Sequence, residues 1–142
     1  MAKRRVVLTG AAGRVAQRMF KALDERWDVV PIDIRPTTAD GTPLPRTVVA
    51  DLSQADRDAY RQHFRGADAV IHCGFVRAPG MTADTWQDNS DAKFQAEHAN
   101  VAMAYNVYRV ALGKACAGSS CAAPTTPPIT TRGWCGTAAW TW

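Results

Sequence analysis

The chain has 142 residues, 46% of them hydrophobic and 21% charged, with a formal net charge of +4. That length suits one domain with a real core, and the scattered basic residues offer no patch for nucleic acid. The basic start Met1–Arg5 precedes too few apolar residues for a signal-peptide core. No run reaches membrane-span length, so no membrane partner and a cytoplasmic setting with reduced thiols are expected. Cys73, Cys116, Cys121 and Cys135 form no C-x-x-C pair, and no histidine stands near the last three. Neither a disulfide framework nor a metal site is expected.

In chain order, Arg5–Leu8 reads as a first strand and Arg14–Glu25, with Val15, Met19, Phe20 and Leu23, as an amphipathic helix. Trp27–Ile32 is a second strand. Residues 35–45, with three prolines and a glycine, are a loop. Thr47–Ala50 makes a short third strand ending at Asp51. A helix over Gln54–Phe64 is predicted, with Ser53 as its cap. Residues 68–73 hold a fourth strand, continuously apolar between Asp68 and His72 as in a strand buried on both faces. A loop with Pro79, Gly80 and Met81 leads to a long helix over Asp91–Ala115, in which Val101, Tyr105, Tyr108 and Leu112 are spaced for one face. Strands alternating with helices predict an α/β fold: an incomplete, doubly wound Rossmann-type parallel sheet of four strands in the order 3-2-1-4.

The stretch Val6–Ala16, VVLTGAAGRVA, carries the chemistry. A nucleotide pyrophosphate needs backbone that can approach it without an intervening Cβ, and free N–H groups at a helix N-terminus. Gly10 allows the tight turn, Gly13 the close approach, and Ala16 the packing of helix on strand. Asp33, at the end of the second apolar run, is placed to bond an adenosine ribose. A tight strand-to-helix turn with no chemical role is the bland alternative, and the strand, helix and acid together count against it.

Residues 5–115 resemble the N-terminal part of the NAD-dependent epimerase/dehydratase family, the extended short-chain dehydrogenases. TGAAGRVA resembles the T-G-x-x-G-x-x-[GA] loop, Asp51-Leu52 the D-[LV] adenine contact, and Asp68–His72 the D-x-V-I-H strand. Asn100–Tyr108 resembles the N-x-x-x-x-Y-N-L-Y helix of a uronate dehydrogenase-like subgroup. The resemblance implies that Gly10, Ala12, Gly13 and Arg14, with Val15 beside them, hold the pyrophosphate. It further implies that Asp33, followed by Ile34, takes the ribose. Asp51 and Leu52 would then frame the adenine, Cys73, Gly74 and Phe75 pass beside the nicotinamide ribose, and Asn100 support the site from the long helix. Asp33 favours NAD over NADP, while Arg14 and Arg35 leave a 2′-phosphate open. His72 and His98 are expected to be structural.

Beyond Ala115 the pattern changes. Residues 116–142 contain no acid and a single basic residue, Arg132, yet include Trp134, Trp140 and Trp142. A disordered tail would be charged and poor in tryptophan. Back-translated with permitted codons and read from the third base of each, Ser119–Trp142 can yield VVRSSNHAADYYEGLVRHGRLDM. That solution contains an apolar strand and the S-S-N-H signature of the same subgroup. The expectation is therefore a dinucleotide-binding unit over residues 1–115 and a frameshift-derived tail over 116–142.

The family's acid–base pair is Y-x-x-x-K. Here Tyr60 is followed four positions on by Phe64, Tyr105 by Arg109 and Tyr108 by Leu112. No catalytic residue is assigned. The expected function is the cofactor-binding portion of a sugar or uronate epimerase, dehydratase or dehydrogenase, catalytically incomplete. The alternative is a non-catalytic dinucleotide-binding redox sensor of the same superfamily. A sensor's sequence would continue the sheet pattern past Ala115, and this one does not.

Overall fold

A computed structural model of the chain describes residues 3–78 and 90–115. The Pro79–Met81 loop and the tail over 116–142 lie outside the described residues. The elements are β1 (Arg5–Thr9), α1 (Arg14–Arg26), β2 (Asp28–Asp33), β3 (Val48–Val49), α2 (Asp58–Arg61), a 3₁₀ turn (Gln62–Phe64), β4 (Ala69–His72) and α3 (Ser90–Ala115). The four strands form one parallel sheet in the order β3-β2-β1-β4, as the alternating pattern predicts. No helix among the described residues is long and apolar enough to cross a membrane.

β1 is central because its residues are apolar on both faces: Val6, Val7 and Leu8 are all buried. Val7 pairs with Val30 on one side and Val70 on the other. Its N-terminal end is fixed by Asp68, whose Oδ2 accepts the Arg5 N–H at 2.7 Å while its own N–H donates to the Arg5 carbonyl at 2.8 Å. Pro31 sits inside β2 without breaking the sheet. Ile32 and Asp28 bond toward β1, so Pro31 faces the opposite side, below the point where β3 begins at Ile32. A missing N–H there removes no ladder bond.

Two apolar layers enclose the sheet. One gathers Val7, Ile32, Leu52, Tyr60, Phe64, Met103, Val107 and Val110, and the other packs Met19, Phe20, Leu23 and Trp27 around Leu8, Ala16 and Val29. The long helix presents a different face from the one its bulkiest residues suggest. Val101, Tyr105, Tyr108 and Leu112 are exposed, while Ala96, Met103, Asn106, Val107 and Val110 are buried. Both sets have helical spacing. The slimmer one lies against the sheet because Tyr60 and Phe64 already fill the space between sheet and helix.

The predicted helix over Gln54–Phe64 is shorter, starting only at Asp58. Ser53 does not cap it. Its N–H and Oγ–H both donate to Asp51 Oδ1, at 2.9 and 2.6 Å, closing a side-chain turn that competes with helix. The carbonyls of Leu52, Ser53 and Gln54 are engaged by Asn106 Nδ2 from α3. Carbonyls held by a distant side chain are drawn away from the i+4 amides a helix would supply.

Candidate functional site

The carboxyl ends of the parallel strands gather the residues of interest, as the crevice of an open α/β sheet requires. The connection from β1 to α1 turns at Gly10, whose φ is +68°. A Cβ there would stand 2.5 Å from the Cys73 carbonyl carbon and 2.6 Å from its oxygen, and would also strike the Gly74 nitrogen. The β1 turn thus lies directly on the chain leaving β4, with Cys73 N–H donating to the Thr9 carbonyl at 3.0 Å. Gly74 is crowded in turn: a Cβ would come 3.1 Å from both His72 Cε1 and Met103 Sδ. At position 10 the neighbours are backbone and only glycine fits, whereas at position 74 a Cβ would require the His72 and Met103 side chains to shift.

The donors of the glycine turn are not all free. Ala11 N–H donates to the Ile32 carbonyl at 3.2 Å and Gly13 N–H to the Gly10 carbonyl at 2.9 Å. Ala12 N–H donates to Asp33 Oδ2 at 2.8 Å, a buried bond. The amides of Ala12 and Gly13, assigned to a pyrophosphate by resemblance, are thus committed within the protein. The open donors are those of the first turn of α1. Gly13 caps that helix without a side-chain bond, so Arg14, Val15 and Ala16 have N–H groups with no intrahelical acceptor. Arg14 adds an exposed guanidinium beside them. Such a terminus suits an anion.

Asp33 is buried and bonded on both oxygens, with Oδ1 accepting the Arg35 N–H at 3.0 Å. A carboxylate has lone pairs beyond these two bonds, so it can accept a hydroxyl as well. The sequence reading missed its second role as the clamp that ties the glycine turn to β2. Asp51, held by Ser53, has its carboxyl below the usual carboxylate range, chiefly through the Ser53 hydroxyl. Leu52, expected beside it at an adenine, buries its side chain in the core. Ile34, Val15 and Phe75 are exposed at 62%, 62% and 63%, all at the carboxyl edge of the sheet. Asn100 grips the chain past β4 at two points: its Oδ1 accepts the Val76 N–H at 2.7 Å and its Nδ2 donates to the Val76 carbonyl at 3.0 Å.

The titratable groups nearby are set for structure. Burial pushes the Cys73 thiol up, away from the thiolate. Tyr60 is 1% exposed, its hydroxyl has no partner among the described residues, and burial raises its pKa. Tyr105 lies outside the core with the Arg57 guanidinium 5.7 Å from its ring centroid. His98 stacks on Phe94. His72 Nδ1 is 2.6 Å from Thr9 Oγ1, and burial holds its imidazole below the ordinary 6.5.

The His72 shift gives a signed expectation. The fold favours the neutral ring, so the unfolded chain takes up the proton first, and stability falls with acidification from pH 6.5 toward the lower folded value. The carboxylate of Asp51 contributes a similar loss only below its ordinary 3.8. Urea midpoints should therefore drop between pH 7 and pH 5, and His72→Gln should flatten that drop. Equal slopes in parent and variant would remove His72 as the cause.

A family model described as the NAD dependent epimerase/dehydratase family matches residues 6–138. The chain belongs to that family. Solved structures agree. A short-chain dehydrogenase/reductase superfamily protein from Agrobacterium tumefaciens, described with bound NAD, is 26% identical with a TM-score of 0.54, over 78% of this chain and 30% of that one. Uronate dehydrogenase from Agrobacterium tumefaciens is 24% identical with a TM-score of 0.54, over 80% and 38% respectively. L-threonine dehydrogenase from Clostridium difficile is 16% identical with a TM-score of 0.57, over 80% and 34%. The last two likenesses show the fold alone. The chain spans about a third of the length of these structures. No curated protein matches it.

Proposed function

We propose that residues 3–115 form the NAD-binding portion of a sugar or uronate epimerase, dehydratase or dehydrogenase. The observation that carries the reading is the meeting of the Gly10 turn, the buried Asp33 and the open first turn of α1 at the switch point between β1 and β4. In the dinucleotide-binding arrangement these features face a pyrophosphate and a ribose. Family membership and the NAD described in the 26%-identical structure point the same way.

NAD, when bound, supplies a hydride acceptor at its nicotinamide. The chain's own residues bind and orient. The amides of Arg14, Val15 and Ala16 and the Arg14 side chain face the pyrophosphate. Asp33 accepts from the adenosine ribose, and its negative charge at that point disfavours a 2′-phosphate, so NAD is preferred to NADP. Arg35, one turn of chain beyond, is the group that would have to offset this repulsion. Asp51 stands at the adenine with its loop, Ile34 and Val15 offer apolar surface to the flat base, and Cys73, Gly74 and Phe75 pass the nicotinamide ribose. Asn100 fixes that last wall through Val76.

A proton donor beside the nicotinamide is what a turnover would need, and neither Tyr60, Tyr105 nor Tyr108 stands in a Y-x-x-x-K pattern. The chain is therefore expected to bind NADH, read as a fluorescence change on titration with preference over NADPH, and to show no NAD-dependent oxidation of uronates or sugars. Turnover that co-purifies with the chain through several columns would overturn the second half. Absence of any NADH binding would overturn the first.

We further propose that residues 116–142 are read out of frame. The support is the shifted reading with its S-S-N-H signature and the loss of acids after Glu97. The family match, which continues to residue 138, weighs on the other side. Sequencing the gene across codons 113–119 decides between them: one inserted or deleted base is expected, and an uninterrupted frame in the source genome refutes it.

A further inference from the structure

We propose that Asn106 is a positioning residue for the adenine end of the dinucleotide, holding the Asp51–Gln54 loop onto α3 through its side-chain amide. The proposal rests on the NAD-binding reading above. Asn106 is a buried polar residue on the sheet-facing side of α3, at 7% exposure. Its Nδ2 lies 3.1 Å from the Leu52 carbonyl, 3.1 Å from the Gln54 carbonyl and 3.5 Å from the Ser53 carbonyl. An amide nitrogen has two hydrogens, so Leu52 and Gln54 take one each and Ser53 shares.

Three consecutive carbonyls turned toward one donor define a tight loop. On its other side that loop is closed by Asp51 Oδ1, which accepts from both the N–H and the hydroxyl of Ser53. The carboxylate thus holds the loop at Ser53, and the amide holds it at the carbonyls of Leu52, Ser53 and Gln54. A loop held at these points presents the Asp51 carboxylate in a set position before a ligand arrives. Leu52 adds the apolar anchor by burying its side chain among Val107, Val110 and Met103 of α3 and its neighbours.

A second clamp gives the inference its shape. Asn100, further toward the N-terminal end of α3, grips Val76 on the opposite wall with one donor and one acceptor. One helix therefore sets both walls of the cleft, through two asparagines that share no partner. Contacts without shared partners contribute nearly independently. Loss of the Asn106 clamp is accordingly expected to loosen the adenine side alone.

The test uses the full chain with Asn106→Ala and Asn106→Gln, the latter keeping the amide one methylene further out. Binding of ADP-ribose and of nicotinamide mononucleotide is measured by calorimetry, and amide exchange is followed at Leu52–Gln54 and at Val6–Leu8. Asn106→Ala is expected to weaken ADP-ribose about tenfold, the scale of one or two lost hydrogen bonds, and to leave nicotinamide mononucleotide unchanged. Exchange should quicken at Leu52–Gln54 and not at Val6–Leu8, and Asn106→Gln should recover part of the affinity. An equal loss for both ligands would make Asn106 a general packing residue and overturn the proposal, as would unchanged ADP-ribose binding. Should neither variant fold, the parent decides: ADP-ribose must add exchange protection at Leu52–Gln54, and protection elsewhere only refutes the idea. A parent that binds neither ADP-ribose nor NAD would overturn the NAD-binding reading itself, and this inference with it.

Discussion

Gly10→Ala is expected to destabilise the chain by about 2–5 kcal/mol, the sum of a left-handed backbone at a residue with a Cβ and an overlap that cannot relax. The φ of +68° accounts for the smaller part. The larger part comes from the Cys73 carbonyl carbon and oxygen, which a Cβ would meet at 2.5 and 2.6 Å. These are backbone atoms of the strand end that pairs with β1, so no rotamer change can relieve the contact. Gly41 supplies the control. It has φ +84° but nothing within 4 Å of its would-be Cβ, so Gly41→Ala carries the backbone cost alone. Urea midpoints of the two variants separate the contributions. If Gly10→Ala unfolds no earlier than Gly41→Ala, the turn does not lie on Cys73 and Gly74. Because the turn also orients the first amides of α1, NADH binding should vanish in Gly10→Ala even below its unfolding midpoint.

Asp33→Ala is expected to abolish measurable NAD preference and to lower stability together. It removes the acceptor of a buried N–H, that of Ala12, and a donor left without an acceptor costs roughly 1–3 kcal/mol. The Arg35 N–H loses its acceptor as well, but that bond is only part-buried and water can replace it. Asp33→Asn distinguishes the two roles. Its amide oxygen can still accept from Ala12, so most of the stability should return, while the loss of charge should narrow the gap between NADH and NADPH. An Asp33→Asn chain that kept the full preference for NADH would show that the carboxylate does not face the ribose. An Asp33→Ala chain as stable as the parent would show that the Ala12 bond contributes nothing.

The two variants probe a property that motif matching misses. The dinucleotide fingerprint places an acid near the ribose, and the sequence alone leads to that acid. In the folded chain the same acid holds the turn by which the pyrophosphate would be approached, through Ala12. Turn geometry and ribose recognition are therefore coupled through one carboxylate.

Much of the architecture follows from local sequence. Val6-Val7-Leu8 is covered on both faces as the central strand. The equally apolar Ala69-Val70-Ile71, expected to be buried likewise, ends the described sheet and is exposed or half-buried because no further described strand pairs beyond it. Gly10 and Gly13 before a helical pattern fix the turn and the start of α1, and β2 ends at Asp33, one residue past the expected Ile32. The parallel pairing of β1 with β2 follows from the intervening helix α1, whereas β2 and β3 pair in parallel with no helix between them. The turn and the start of α1 depend on residues close to one another in the chain, while the β1–β4 pairing joins residues as distant as Val6 and Ala69.

What the tertiary structure decided depends on partners far apart in sequence. The helix after β3 starts late because Asn106, more than fifty positions on, takes the carbonyls that would have begun it. The apolar stripe of Val101, Tyr105, Tyr108 and Leu112 has the spacing of a core face. Yet Met103, Val107 and Val110 are the residues that fit against Tyr60 and Phe64, and side-chain volume at that contact is invisible to periodicity. The amides of Ala12 and Gly13 read as free donors because a turn motif records where N–H groups are, not which carbonyl or carboxylate lies opposite. Only the folded sheet brings Asp33 across from Ala12, and Cys73 and Gly74 beneath Gly10.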